Sequence, residues 1–134
     1  MSQPEKQTST QNRPLSPHLE IYRFSLTMAL SILHRITGIG LYFGAILLGW
    51  WFIAAAMGPT QLDLIYFVLD NWFGQLVLLG FTWALFQHML GGIKHFIWDV
   101  GAGLEPGQRQ ALSWFTIVGG LVLTALTWII FVWI

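Results

Sequence analysis

The sequence contains no cysteine. That absence removes disulfides, thiolate nucleophiles, zinc ribbons and self-ligated iron–sulfur clusters, and it leaves the redox compartment unreadable from thiol usage. Charge is scarce as well: 9% of the 134 residues are Asp, Glu, Lys or Arg, against about 25% in an ordinary soluble domain. The formal net charge is zero, so no basic surface invites nucleic acid. Two absences are local. The stretch from residue 58 to 71 has no Lys or Arg, and the segment from about residue 112 to the C-terminus has no ionisable side chain.

What is present is apolar. Hydrophobic residues make up 55% of the chain, with eight Trp and a mean hydropathy of +0.63. This composition predicts an all-α membrane protein with three transmembrane helices and an N-terminal interfacial segment. Residues 1–12 are rich in Ser, Thr, Gln and Asn and read as a disordered cytoplasmic tail. They resemble neither a signal peptide nor an Arg-rich presequence, so a bacterial or already processed protein is the simpler reading. Residues 13–134 form a single three-helix transmembrane anchor domain. Within it, Pro14 and Pro17 break any helix, and Tyr22, Arg23 and His18 suit the headgroup level.

The spans are expected at about 26–57, 72–98 and 112–134. The first exceeds the ~20 residues that cross a bilayer, so it is expected to tilt or project. It carries Gly40 and Gly44, a small-xxx-small pair suited to close helix approach. Gly58-Pro59 ends it, and residues 58–71 read as a connection. Trp72 and Trp98 stand where interfacial anchors belong, and Gly101 to Gly107 reads as a loop. Lys6, Arg13, Arg23 and Arg35 precede or open the first span, and Lys94 and Arg109 flank the second loop. By the positive-inside rule the N-terminus and second loop are cytoplasmic, in a bacterial inner membrane.

The second span carries the most unusual stretch. His88, His95 and Asp99 lie seven and eleven residues apart, one polar stripe on a helix. Ionisable groups in a span are costly and normally face a partner helix, a cofactor or water. Ser31, His34 and Arg35 form a second cluster early in the first span, expected at the depth of His95. His88, roughly 16 Å below Asp99 along the helix, suits two roles: an interhelical hydrogen-bonding group, or an axial ligand to heme iron. Gly91 and Gly92 either leave room for a flat macrocycle beside His88 or allow close helix packing. His34, His95, Arg35 and Lys94 suit heme propionates, whereas Lys94 taken singly suits snorkelling to the interface. A helix-packing scaffold or a proton-relaying transporter half is the competing class.

Three motifs carry a family resemblance. Arg13-Pro14-Leu15-Ser16-Pro17-His18-Leu19, then Ser31-Ile32-Leu33-His34-Arg35-Ile36-Thr37-Gly38, then His88 with Gly92-Ile93-Lys94-His95 and Trp98-Asp99, resemble the cytochrome b large membrane-anchor subunit of succinate dehydrogenase, respiratory complex II. The resemblance covers about residues 13–103, and the three-span layout extends it to the C-terminus. It implies one part of a multi-subunit helical bundle, with a small membrane-anchor subunit, an iron–sulfur subunit and a flavoprotein subunit as partners. Within it His88 is an axial ligand of heme b shared with the small anchor subunit, and His34 and His95 stand at the propionate side. Ser31 and Arg35 line the ubiquinone site, Arg35 being possibly shared with the heme. FAD and iron–sulfur clusters belong only to the partner subunits, so no residue of this chain oxidises succinate. The family usually has Arg where this chain has Lys94, and an ammonium cannot replace a guanidinium fork, which counts against a propionate role there.

Overall fold

The computed structural model describes Pro17 and residues 20–133, with side chains to residue 131. The N-terminal tail and most of the segment from Arg13 to Leu19 lie outside the described residues. Four helices follow in order: α1 (Leu26–Met57), α2 (Pro59–Leu69), α3 (Trp72–Asp99) and α4 (Pro106–Trp133). Three of them, α1, α3 and α4, are long and apolar enough to cross a membrane, with mean hydropathies of 1.9, 1.5 and 2.0 over their most apolar windows. Among the described residues there is no strand.

The connection at 58–71 is a helix rather than a loop. Gly58 turns the chain with φ of 115°, in the positive-φ range that favours glycine, and Pro59 then starts α2, its fixed φ suiting a first helical turn. Asn71 joins α2 to α3: its Oδ1 accepts from Phe73 N and Gly74 N at 3.0 Å each, and its Nδ2 donates to Val68 O at 2.6 Å. A Cβ on Gly74 would strike the Val68 carbonyl and the Leu69 backbone, so glycine permits this approach. The third span also begins earlier than expected. Pro106 opens α4, which brings Arg109 inside its first turn.

α3 is the central helix, packed on both α1 and α4, while α1 and α4 touch little. The buried interior is small and polar: among the described residues Thr37, Gln87, Lys94, Ser113, Thr116 and Thr124 lie inside, with only Leu30, Ala54, Ile65 and Leu90 as buried apolar side chains. The large apolar residues face outward, Phe67 at 79% and Tyr42 at 69% exposure among them. This inversion follows from a lipid solvent, in which burying Leu gains nothing and close packing of small residues holds helices together. The buried hydroxyls back-bond to their own helices, Thr116 to Ser113 O at 2.9 Å and Thr124 to Gly120 O at 2.7 Å, which satisfies these donors within the apolar interior.

Of the expected glycine pair, only Gly44 is used between helices here: a Cβ there would overlap the Phe81 ring of α3, whereas Gly40 meets nothing. Gly91 departs from expectation too. It leaves no space for a macrocycle, because the His34 ring fills it; a Cβ would sit 2.6 Å from His34 Nδ1. Close packing is its role, and Gly92 alone faces open space.

Candidate functional site

Two histidines meet where α1 crosses α3. The rings of His34 and His88 stack with centroids 4.0 Å apart and planes 5° from parallel, and the His95 ring lies 5.3 Å from His34. The α1 cluster thus stands level with His95, as expected from antiparallel spans, and His34 also reaches down to His88. Gly38 makes the floor of this contact, since a Cβ there would come within 2.9 Å of His88 Cε1.

The hydrogen bonds of His88 fix its tautomer. Its Nδ1 lies 3.1 Å from the His34 carbonyl and 3.3 Å from Thr37 Oγ1. A carbonyl can only accept. The Thr37 hydroxyl donates within its own helix, to Leu33 O at 2.9 Å or His34 O at 3.0 Å, and so presents a lone pair to His88. Nδ1 therefore carries the proton and donates to both, and Nε2 keeps its lone pair. A metal-ligating imidazole characteristically has this arrangement, with its second nitrogen tied to a carbonyl that orients the ring and raises its basicity. His34 Nδ1, by contrast, is buried without a hydrogen-bond partner among the described residues. No group of three or more His, Asp or Glu suited to holding a bare metal ion occurs among them. The donor set thus suits a metal that brings its own equatorial ligands, as heme iron does.

Nearer the α3–α4 loop a cavity of about 320 Å³ is lined by Thr27 and Ser31 of α1, by Lys94, His95 and Trp98 of α3, by Leu104 and by Arg109 of α4. Ser31 and His95 thus share one space. Arg35, one turn beyond Ser31, is exposed on the outer face of α1 and does not line it. Lys94 does not snorkel outward: it is only 4% exposed, with Nζ 4.9 Å from the centre of the Trp98 ring. Trp98 is held by its Nε1 donating to Gly103 O at 3.2 Å, so it shapes the cavity and is more than a surface anchor. Asp99 ends α3 exposed and does not line the cavity.

The sequence assigned no site role to Thr27, Thr37, Leu104 or Arg109. Thr37 was visible three residues after His34 in the same motif, and Arg109 lay outside the expected third span.

A three-span helical anchor with paired imidazoles at a helix crossing describes a class of electron-transfer membrane subunits. The family model described as the succinate dehydrogenase/fumarate reductase transmembrane subunit matches residues 9–127, and the chain belongs to that family, the cytochrome b anchor subunits of complex II. The chain is 43% identical over 120 residues to the succinate dehydrogenase cytochrome b556 subunit of Paracoccus denitrificans, covering 90% of this chain and 92% of that protein. It is 34% identical over 124 residues to the corresponding subunit of Rickettsia felis, covering 92% and 97%. To the mitochondrial cytochrome b560 subunit of Mus musculus it is 37% identical over 127 residues, covering 91% and 71%. It is a membrane-anchor component of an oxidoreductase complex.

Proposed function

We propose that this chain binds heme b through His88 and contributes Ser31 and Arg35 to a ubiquinone-reduction site fed by the iron–sulfur subunit. The observation that carries the heme assignment is the bond from His88 Nδ1 to the His34 carbonyl, which leaves Nε2 free as a ligand. The relatives' names, cytochrome b556 and b560, support it. The small anchor subunit would supply the other ligand, and His34 and His95 would serve the propionates. Bound heme b supplies a one-electron redox centre. His88, its ring held by the His34 carbonyl and Thr37, would hold and orient it.

Ubiquinone reduction takes two electrons and two protons, so its site belongs at the membrane face that supplies both. The positive-inside distribution makes that face the cytoplasmic one in a bacterial inner membrane, with the N-terminus and the α3–α4 loop on it. Arg35 points out of the three-helix unit, toward the surface where partner subunits dock. Its guanidinium stabilises negative charge developing on a quinone oxygen, and Ser31, one turn earlier on α1, donates a hydrogen bond. Succinate oxidation belongs to the flavoprotein subunit.

The test is Arg35→Lys in the assembled complex. An anchor needs only a positive charge on a flexible stem, whereas a quinone site needs the fixed fork of a guanidinium. Succinate-to-quinone turnover should fall while dye-linked succinate oxidation stays intact. Loss of a charge-assisted contact of ~1.5–3 kcal/mol corresponds to roughly 10- to 150-fold if fully expressed in the transition state. Full quinone turnover in the variant would remove Arg35 from the site.

A further inference from the structure

The cavity beside the α3–α4 loop contains an imbalance that the heme ligand and the quinone residues leave unused. Among the described residues two cations line it, Lys94 from α3 and Arg109 from α4, and no carboxylate does. The nearest candidates in sequence, Asp99 and Glu105, are exposed and outside the lining. Lys94 is 4% exposed, and its recorded neighbour is an aromatic face, whose attraction recovers only part of the cost of dehydrating an ammonium. A cation held this deeply at the end of a membrane span needs an anion.

The rest of the lining matches that need. His95 offers a ring N–H, a hydrogen-bond donor to oxygen, while Trp98 and Leu104 supply an apolar wall. Thr27 Oγ1 lies 3.0 Å from Ser25 Oγ, which leaves it two further hydrogen-bonding positions. The volume of about 320 Å³ holds a carboxylate or phosphate group with a few waters, each water needing ≈ 30 Å³. The two cations come from different helices. Lys94 is fixed by α3, and Arg109 is delivered by the turn in which Gly103 passes 2.6 Å, measured from its would-be Cβ, from Leu112.

We propose that Lys94 and Arg109 form an oxyanion subsite, which takes either a carboxylate of the bound heme or the phosphate of a membrane lipid. Arg109 then supplies the guanidinium fork that an ammonium at position 94 cannot. The heme alternative rests on the function proposed above; the lipid alternative does not.

The experiment uses the whole complex purified from membranes, with wild type, Arg109→Gln, Arg109→Lys, Lys94→Gln and Arg23→Gln as a surface-charge control. Two quantities are read per flavin: the heme midpoint potential by redox titration, and the anionic phospholipid retained after a detergent wash, by mass spectrometry. If the oxyanion is a heme carboxylate, Arg109→Gln and Lys94→Gln lower the potential, because losing a nearby cation disfavours the added electron. Lipid content then stays constant. If it is a lipid phosphate, the same variants lose most of the retained anionic lipid and keep the potential. Arg109→Lys should stay near wild type in either case, and Arg23→Gln should move neither quantity. Assembled Arg109→Gln complex with wild-type potential and wild-type lipid would overturn the proposal, as would equal changes in Arg109→Gln and Arg109→Lys. Should Lys94→Gln fail to assemble, the exposed Arg109 decides alone. Absence of heme b from the wild type would refute the function proposed above and leave the lipid measurement to decide this one.

Discussion

Thr37 and the His34 backbone together hold one imidazole in one tautomer, and the two contributions separate by substitution. Thr37→Val keeps the branched shape and removes one acceptor, so His88 retains its bond to the His34 carbonyl. Heme should remain bound, with a small shift of its absorption band and a loss on the order of 1 kcal/mol in stability. Full loss of heme in Thr37→Val would make the hydroxyl, rather than the carbonyl, the main support. His34→Leu removes a stacked ring but not the carbonyl that orients His88. It should therefore also keep its heme, with altered spectral position, measurable in membranes by difference absorption. The sequence motif located His34, His88, His95 and Ser31 because they are polar residues in apolar helices. Thr37 escaped notice because a threonine in a helix usually bonds only its own backbone, and nothing in the linear pattern shows that its lone pair faces another span.

Proline accounts for both errors in the helix boundaries. In the sequence Pro59 and Pro106 look like ends of structure, yet each stands at the first turn of a new helix, where its missing N–H costs nothing. The α2 segment, 11 residues long, is also too short to span, so hydropathy gave no separate signal for it. The glycines show a related limit. Sequence spacing marks Gly91 and Gly92 as equivalent, but only Gly91 meets a neighbour, because only its face turns toward α1. Gly91→Ala should displace the His34 ring and lower the thermal stability of the purified complex. Gly92→Ala should be silent or raise stability by up to ~1 kcal/mol through helix propensity. Reversed effects in a thermal shift assay would contradict this packing. Asn71→Ala should cost about 1 kcal/mol by removing the cap of α3.

Across the whole molecule, the three spans and their order were legible from hydropathy alone, since a bilayer permits few alternatives to the helix. The cavity was not, because it depends on the 100–105 turn folding Arg109 of α4 back toward α3. The proposed orientation rests on the one-sided distribution of Lys and Arg. A cysteine at Thr60 should react with an impermeant thiol reagent from the outer face of cells lacking an outer-membrane barrier, and one at Gly107 should not. The opposite labelling would invert the topology and place the quinone residues on the wrong side.

The assignment of His88 as an iron ligand joins the tautomer, the helix crossing and the family, and a single spectrum addresses it. The measurement is the reduced-minus-oxidised absorption spectrum of the purified complex, normalised to flavin, for wild type and His88→Leu. Leucine has no lone pair, so wild type should show a low-spin b-type band, and the variant, at equal flavin, should lose it or convert it to another form. An unchanged low-spin band in assembled His88→Leu complex would show that the iron is held elsewhere.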